Sequence, residues 1–295
     1  MYFYIVKLTI FNLIFTVFLF WLTIQIGAEY EEYLSYIFIL TVGIIHGSND
    51  ISLLNIVKGH GHFSKRFLWY YIGLIITNIA AFIIYPRIAL FCFIIISCYH
   101  FGEQHLHALV KDLNNKARFL FLSYGSLIFG LLFYFNFQST SEIITDLISY
   151  RIPEQYFLWF LILSIVLTLS LTLFNRLNFR KDFNYFKELF LILLFAILFK
   201  LAALLWAFAI YFIVWHSLPS LQDQIKELYG DLNKFNILRY IKSSFPYWLV
   251  SLVGLVILYM VTSYFEVNFI TIFFAFLAAI TVPHVIVMYI LNRKA

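Results

Sequence analysis

A chain of 295 residues that is 63% hydrophobic and 21% aromatic but only 12% charged, with a mean hydropathy of +0.90, has too little polar surface to enclose a water-soluble core. That composition excludes a soluble enzyme or binding module and defines a polytopic membrane protein, all-α because only helices satisfy every backbone group within such segments. The net charge of +5 would point to nucleic acid in a soluble domain; here its distribution explains it through membrane topology, and no nucleic-acid partner is implied.

In chain order, apolar stretches able to cross the roughly 30 Å hydrocarbon layer fall at 3–26, 33–57, 67–85, 88–108, 118–137, 156–175, 246–264 and 268–291. The first is longer than the apolar part of a signal peptide and has no small-x-small site before Glu29, so it reads as a retained span. A further apolar stretch from Lys187 to Gln222, broken only by Lys200, would extend roughly 54 Å as one straight helix. That is too long for one crossing, so the expectation is a hairpin near Lys200 and about ten spans in all, with a re-entrant element as the alternative.

Basic residues test this count. With N- and C-termini cytoplasmic, 17 of the 20 lysines and arginines fall inside, and only Arg87, Arg151 and Lys200 fall outside. The asymmetry holds only if the chain crosses twice between Lys187 and Lys226. Acids take the outer loops: Glu29, Glu31, Glu32, Glu142, Asp146 and Glu266. The polar interval from Gln222 to Pro246 reads as an amphipathic surface segment, because Ile225, Leu228, Leu232 and Phe235 recur at helical spacing. No repeat or linker divides the chain, so one transmembrane domain over 1–295 is expected, multi-pass in the cell's cytoplasmic membrane. Cys92 and Cys98, six residues apart on one helix, cannot bridge.

The eight histidines sort by depth. His60 and His62 sit in a basic, glycine-broken loop, and His105 and His107 at the inner end of the fourth span. His46, His100, His216 and His284 lie within four separate spans, roughly 18 to 25 Å below the outer boundary at 1.5 Å per residue. An intramembrane imidazole can serve as a simple helix-helix hydrogen bond. Four at one level are what a metal site inside a helix bundle needs. Asp50 follows His46 by four residues and Glu103 follows His100 by three, placing each carboxylate where it could accept a ring N–H and orient the histidine, or bind the metal itself. Gly43, Gly47 and Gly102 allow close approach, and Pro219 and Pro283 open the helices beside His216 and His284. A nitrogen donor set without thiols suits iron, copper, zinc or nickel. Tyr99, Phe101, Trp206, Phe208, Tyr211, Phe212 and Trp215 would give stacking walls to a flat apolar molecule drawn from the lipid.

The motifs Gly43-Ile44-Ile45-His46-Gly47 with Asp50, Tyr99-His100-Phe101-Gly102-Glu103, Tyr211-Phe212-Ile213-Val214-Trp215-His216-Ser217 and Thr281-Val282-Pro283-His284 together resemble the bacterial and archaeal Brp/Blh family of membrane β-carotene 15,15'-dioxygenases. The resemblance implies an Fe(II) enzyme that uses O2 to cleave the central double bond of β-carotene, taken from the lipid bilayer, into two molecules of all-trans retinal. It also implies a retinal-binding rhodopsin as receiver of the product. Carried over by motif, His46, His100, His216 and His284 would be catalytic metal ligands, with Asp50 and Glu103 supporting them. Members often read His-Ser-x-Arg-His where this chain has His216-Ser217-Leu218-Pro219-Ser220. The second ligand position there is absent, which leaves His284 as fourth ligand or the metal with three, and His105 as a further candidate. Two other functions compete. A lipid desaturase or hydroxylase would carry His-x-x-His-His repeats, which this chain lacks; a proton-coupled transporter would use His46, Asp50, His100 and Glu103 as a relay and bind no iron.

Overall fold

A computed structural model describes residues 2–57, 65–262 and 269–293. His60, His62, Lys58 and Glu266 lie outside the described residues. In chain order the helices are α1 (Tyr2–Gln25), α2 (Ala28–Phe38), α3 (Ile44–Gly47), α4 (Asp50–Val57), α5 (Lys65–Ile84), α6 (Pro86–Leu106), α7 (Asn115–Phe135) and α8 (Phe137–Ile148). They continue as α9 (Glu154–Phe174), α10 (Tyr185–Leu201), α11 (Leu204–Tyr211), α12 (Leu218–Tyr229), α13 (Lys234–Thr262) and α14 (Phe269–Asn292). Two π-helical segments, Ile39–Gly43 and Phe212–Ser217, join α2 to α3 and α11 to α12. Among the described residues the extended structure amounts to one isolated bridge, between Val110 and Phe179. The chain is therefore an all-α polytopic membrane protein.

Among the described residues eight helical stretches are long and apolar enough to cross a membrane, against about ten expected; α1 adds a shorter apolar stretch, Ile10–Gln25, and α10 has 17 residues. Their outward faces are apolar, as lipid requires: Trp69, Ile76 and Ile83 on α5 and Leu163, Val166 and Leu169 on α9 are all exposed. The expected break near Lys200 is present. α10 ends at Leu201, Ala202 and Ala203 are extended, and α11 starts at Leu204. No glycine or proline makes this turn. Glu31, expected in an outer loop, is instead buried on α2 and accepts a hydrogen bond from the Ala203 backbone N–H at 2.8 Å, capping the start of α11 where a negative charge is favoured.

The polar interval from Gln222 to Pro246 does not form one surface helix. Its first part finishes α12, Gly230 turns the chain with φ +89°, and the rest begins α13 at Lys234. Ile225 is buried while Phe235, on the next helix, is exposed. The helical spacing of the four apolar residues runs across a turn that the periodicity does not register.

Two compact units result. The first comprises Met1–Gly43, Cys98–Thr140 and Pro153–Pro219; the second comprises Ile44–Ser97, Ser141–Ile152 and Ser220–Ala295. In the first, α7 packs against α9 and α10, and α11 against α2. The indoles of Trp206 and Trp215 donate to Thr23 and Thr16 of α1 at 2.8 and 2.9 Å, fixing that helix. The loops that follow α6 and α9 are joined by the Val110–Phe179 bridge, by Arg180 Nε to the Val110 carbonyl (2.8 Å) and by Lys111 Nζ to the Leu177 carbonyl (2.8 Å). Loops bonded in this way share one side of the membrane, as the alternation of spans requires. In the second unit, α14 packs on α4, α5 and α13 around Leu53, Val287, Met288 and Leu291. α14 runs unbroken through Pro283, and the carbonyls of the preceding turn are bonded by Thr281 Oγ1 to Leu277 (2.6 Å) and Asn78 Nδ2 to Ala278 (2.7 Å).

Candidate metal centre

Each unit buries a pair of the deep histidines. In the first unit His100, on α6, and His216, in the π segment after α11, meet edge to face with ring centroids 4.7 Å apart. The His216 ring lies nearly parallel to Phe101, at 4.3 Å and 12°, and to Phe212, at 5.5 Å and 15°. Two stacked neighbours define its plane, and Phe208 and Tyr211 extend the stack through Phe212 and Phe101. Phe212 reaches this position because residue 43 is glycine: a Cβ there would stand 2.8 Å from its ring. A π turn re-aims side chains relative to an α-helix, and such turns recur at functional sites. Of the aromatic residues expected to line a substrate path, Phe101, Phe208, Tyr211 and Phe212 gather around His216, whereas Trp206 and Trp215 hold α1.

In the second unit His46 of α3 and His284 of α14 meet edge to face, their centroids also 4.7 Å apart. Asp50 lies 2.9 and 3.1 Å from Nδ1 of His284 through its two oxygens, and Tyr71 of α5 donates to Asp50 Oδ2 at 2.9 Å. The sequence spacing placed Asp50 under His46, but α3 ends at Gly47 and a turn at Ser48–Asn49 separates it from α4. The four-residue rule for one helix face does not apply across that turn. Asn49, buried in the same turn, donates to Ser244 Oγ at 2.6 Å, and Tyr240 donates to Gln224 Oε1 at 2.7 Å with its hydroxyl 3.3 Å from the His46 carbonyl. The backbone carrying His46 is thus tied to α13.

Glu103 is buried on α6 and accepts from the Tyr99 hydroxyl at 3.0 Å. His105, the further ligand candidate, has its Nε2 2.9 Å from Glu188 Oε2 and 3.0 Å from the Tyr124 hydroxyl, with its ring stacked on Tyr124. A carboxylate only accepts, so this nitrogen carries a hydrogen directed at Glu188. Sequence reasoning missed Glu188, Tyr124 and Tyr71. Replacing His105 by leucine strands the buried Glu188 and is expected to cost about 3–5 kcal/mol. Thermal unfolding of the purified protein checks this, with the metal content of the folded fraction unchanged and most of the loss recovered in His105→Leu/Glu188→Leu.

Buried imidazoles of this kind fit a metal such as iron, and one of them, His284, has a carboxylate on a ring nitrogen, an arrangement known to orient histidine where it binds a metal. Fold and site together define an all-α membrane protein with paired intramembrane histidines of metal-ligand character. The sequence model of the family described as beta-carotene 15,15'-dioxygenase matches residues 37–292, and the chain belongs to that family. No curated protein and no solved structure matches the chain.

Proposed function

We propose that this chain, acting as one domain over 1–295, cleaves the central 15,15' double bond of β-carotene with O2, placing one oxygen atom on each of two all-trans retinal products. The observation that carries the reading is the buried histidine pair in each unit of a chain matched to this family over 37–292. His46, His100, His216 and His284 are the residues that would hold Fe(II). When bound, iron supplies the redox chemistry that makes O2 reactive toward the double bond. The protein's part is positional: Phe101 and Phe212 hold the plane of His216, Asp50 holds His284, Tyr240 and Asn49 hold the turn beside His46, and the apolar surroundings exclude water. The aromatic stack around His216 suits a flat, conjugated, lipid-borne substrate. Both termini are assigned to the cytoplasmic side of the cell's cytoplasmic membrane, on the distribution of basic residues, with a retinal-binding rhodopsin as receiver of the product.

Expression in a host that makes β-carotene tests the reading. The expected result is loss of orange colour with accumulation of retinal. Persistent colour with an intact, iron-loaded protein would overturn the substrate assignment, and an iron-free protein whose activity follows the proton gradient would establish the transporter instead.

A further inference from the structure

We infer that Tyr71 is a positioning residue, acting through Asp50 to determine which nitrogen of His284 is presented to a metal; the inference rests on the iron-site reading above. All three side chains belong to the second unit. Asp50 is 1% exposed, and its oxygens take Nδ1 of His284 at 2.9 and 3.1 Å. An ionised carboxylate has no hydrogen to give, so Nδ1 carries one, and a neutral imidazole protonated there has its lone pair on Nε2. Asp50 therefore selects Nε2 as the donor atom.

The carboxylate could still rotate about its own bond and lose that alignment. Tyr71 prevents this by donating to Oδ2 at 2.9 Å from a different helix, α5. Tyr71 packs against the cluster formed by Leu53, Val287, Met288 and Leu291, so its position is set by the packing of α4, α5 and α14 together. The group that aims His284 thus comes from a helix that supplies none of the proposed ligands.

The test uses the full-length protein, purified metal-free in detergent and titrated with Co(II), whose d–d absorption reports the ligand field. Loss of a hydrogen-bonding partner behind a metal-bound histidine typically weakens affinity about 10–100-fold, and Tyr71→Phe is expected to do the same and to shift the Co(II) bands. Because Tyr71 acts through Asp50, adding Tyr71→Phe to Asp50→Asn should change affinity by less than about twofold. Should Tyr71→Phe not fold with its buried charge, Asp50→Asn/Tyr71→Phe against Asp50→Asn carries the comparison. Equal affinity and spectra in that pair support the inference, and a further tenfold loss overturns it. Wild-type affinity and spectrum in folded Tyr71→Phe also overturn it, leaving the metal-site reading intact. A wild-type protein that takes up no Co(II) overturns both.

Discussion

Alanine at Gly102 is expected to prevent recovery of folded protein, and alanine at Gly125 to do the same. A Cβ at Gly102 would overlap the Phe121 carbonyl of α7, and one at Gly125 would overlap the Cys98 carbonyl of α6. The two clashes are reciprocal: each helix presses its backbone into the gap that the other's glycine leaves. A side-chain end can swing away from an added methyl, but a helical carbonyl cannot without moving its helix. Small residues let membrane helices close to this distance, and the stability they give comes from packing rather than from expulsion of water. Overpacking a rigid site commonly costs about 1–3 kcal/mol, and backbone-on-backbone overlap belongs at or above the top of that range. The functional effect should exceed the loss of stability, because α6 carries His100 and Phe101 between the two contact points. Moving the helix carries the histidine from His216 and breaks the stack that holds the His216 ring. Size-exclusion profiles and thermal unfolding of the solubilised variants, alongside retinal yield, measure both effects. Wild-type melting and yield in Gly102→Ala would show that α6 and α7 do not touch as described.

The membrane architecture was legible because hydropathy and charge sum over many residues. The all-α polytopic character and the break near Lys200 follow from segment lengths and the placement of lysine and arginine, and small errors at each end alter neither, whereas the count of crossings depends on those ends. The deep histidines were legible for a related reason: an imidazole inside an apolar span stands out against its surroundings. Their supporting groups did not stand out. Asp50 was visible, but its partner was misplaced, since spacing along one helix says nothing once a turn at Ser48–Asn49 intervenes. Tyr71 is one of 21 tyrosines, and only the chain's return through α14, more than 200 positions later, gives its hydroxyl a role. Glu188 stands in the first turn of α10, and nothing near it in sequence marks it until α6 brings His105 to it. Glu31 resembled a loop acid because its acceptor role is directed at a backbone N–H distant in sequence. In each case the missing information is long-range pairing, which local pattern does not carry.

Replacing any of His46, His100, His216 or His284 by alanine is expected to remove retinal formation, with the protein still inserted in the membrane. The four should nevertheless differ in a way that follows from their surroundings. His284→Ala deprives the buried Asp50 of a hydrogen-bond donor, and leaving a buried acceptor short of a partner costs about 1–3 kcal/mol, more for a charged one. This variant should therefore melt earlier as well as lose metal, and adding Asp50→Asn should restore part of the melting temperature without restoring activity. His216→Ala removes one ring from a cluster in which Phe101 and Phe212 already stack on each other at 5.9 Å, and it strands no buried charge, so its stability should suffer less while its metal content falls. His100→Ala and His46→Ala test the partners of these two rings, and all four should retain less iron than the wild type when measured by elemental analysis of the purified protein. His105→Gln supplies the contrast: its side chain can still donate to Glu188, and it should keep both iron and retinal yield. Full activity in two of the four alanine variants would remove those histidines from the metal centre. Iron lost equally from His105→Gln would mean that the nitrogen bonded to Glu188 in this structure is a ligand after all.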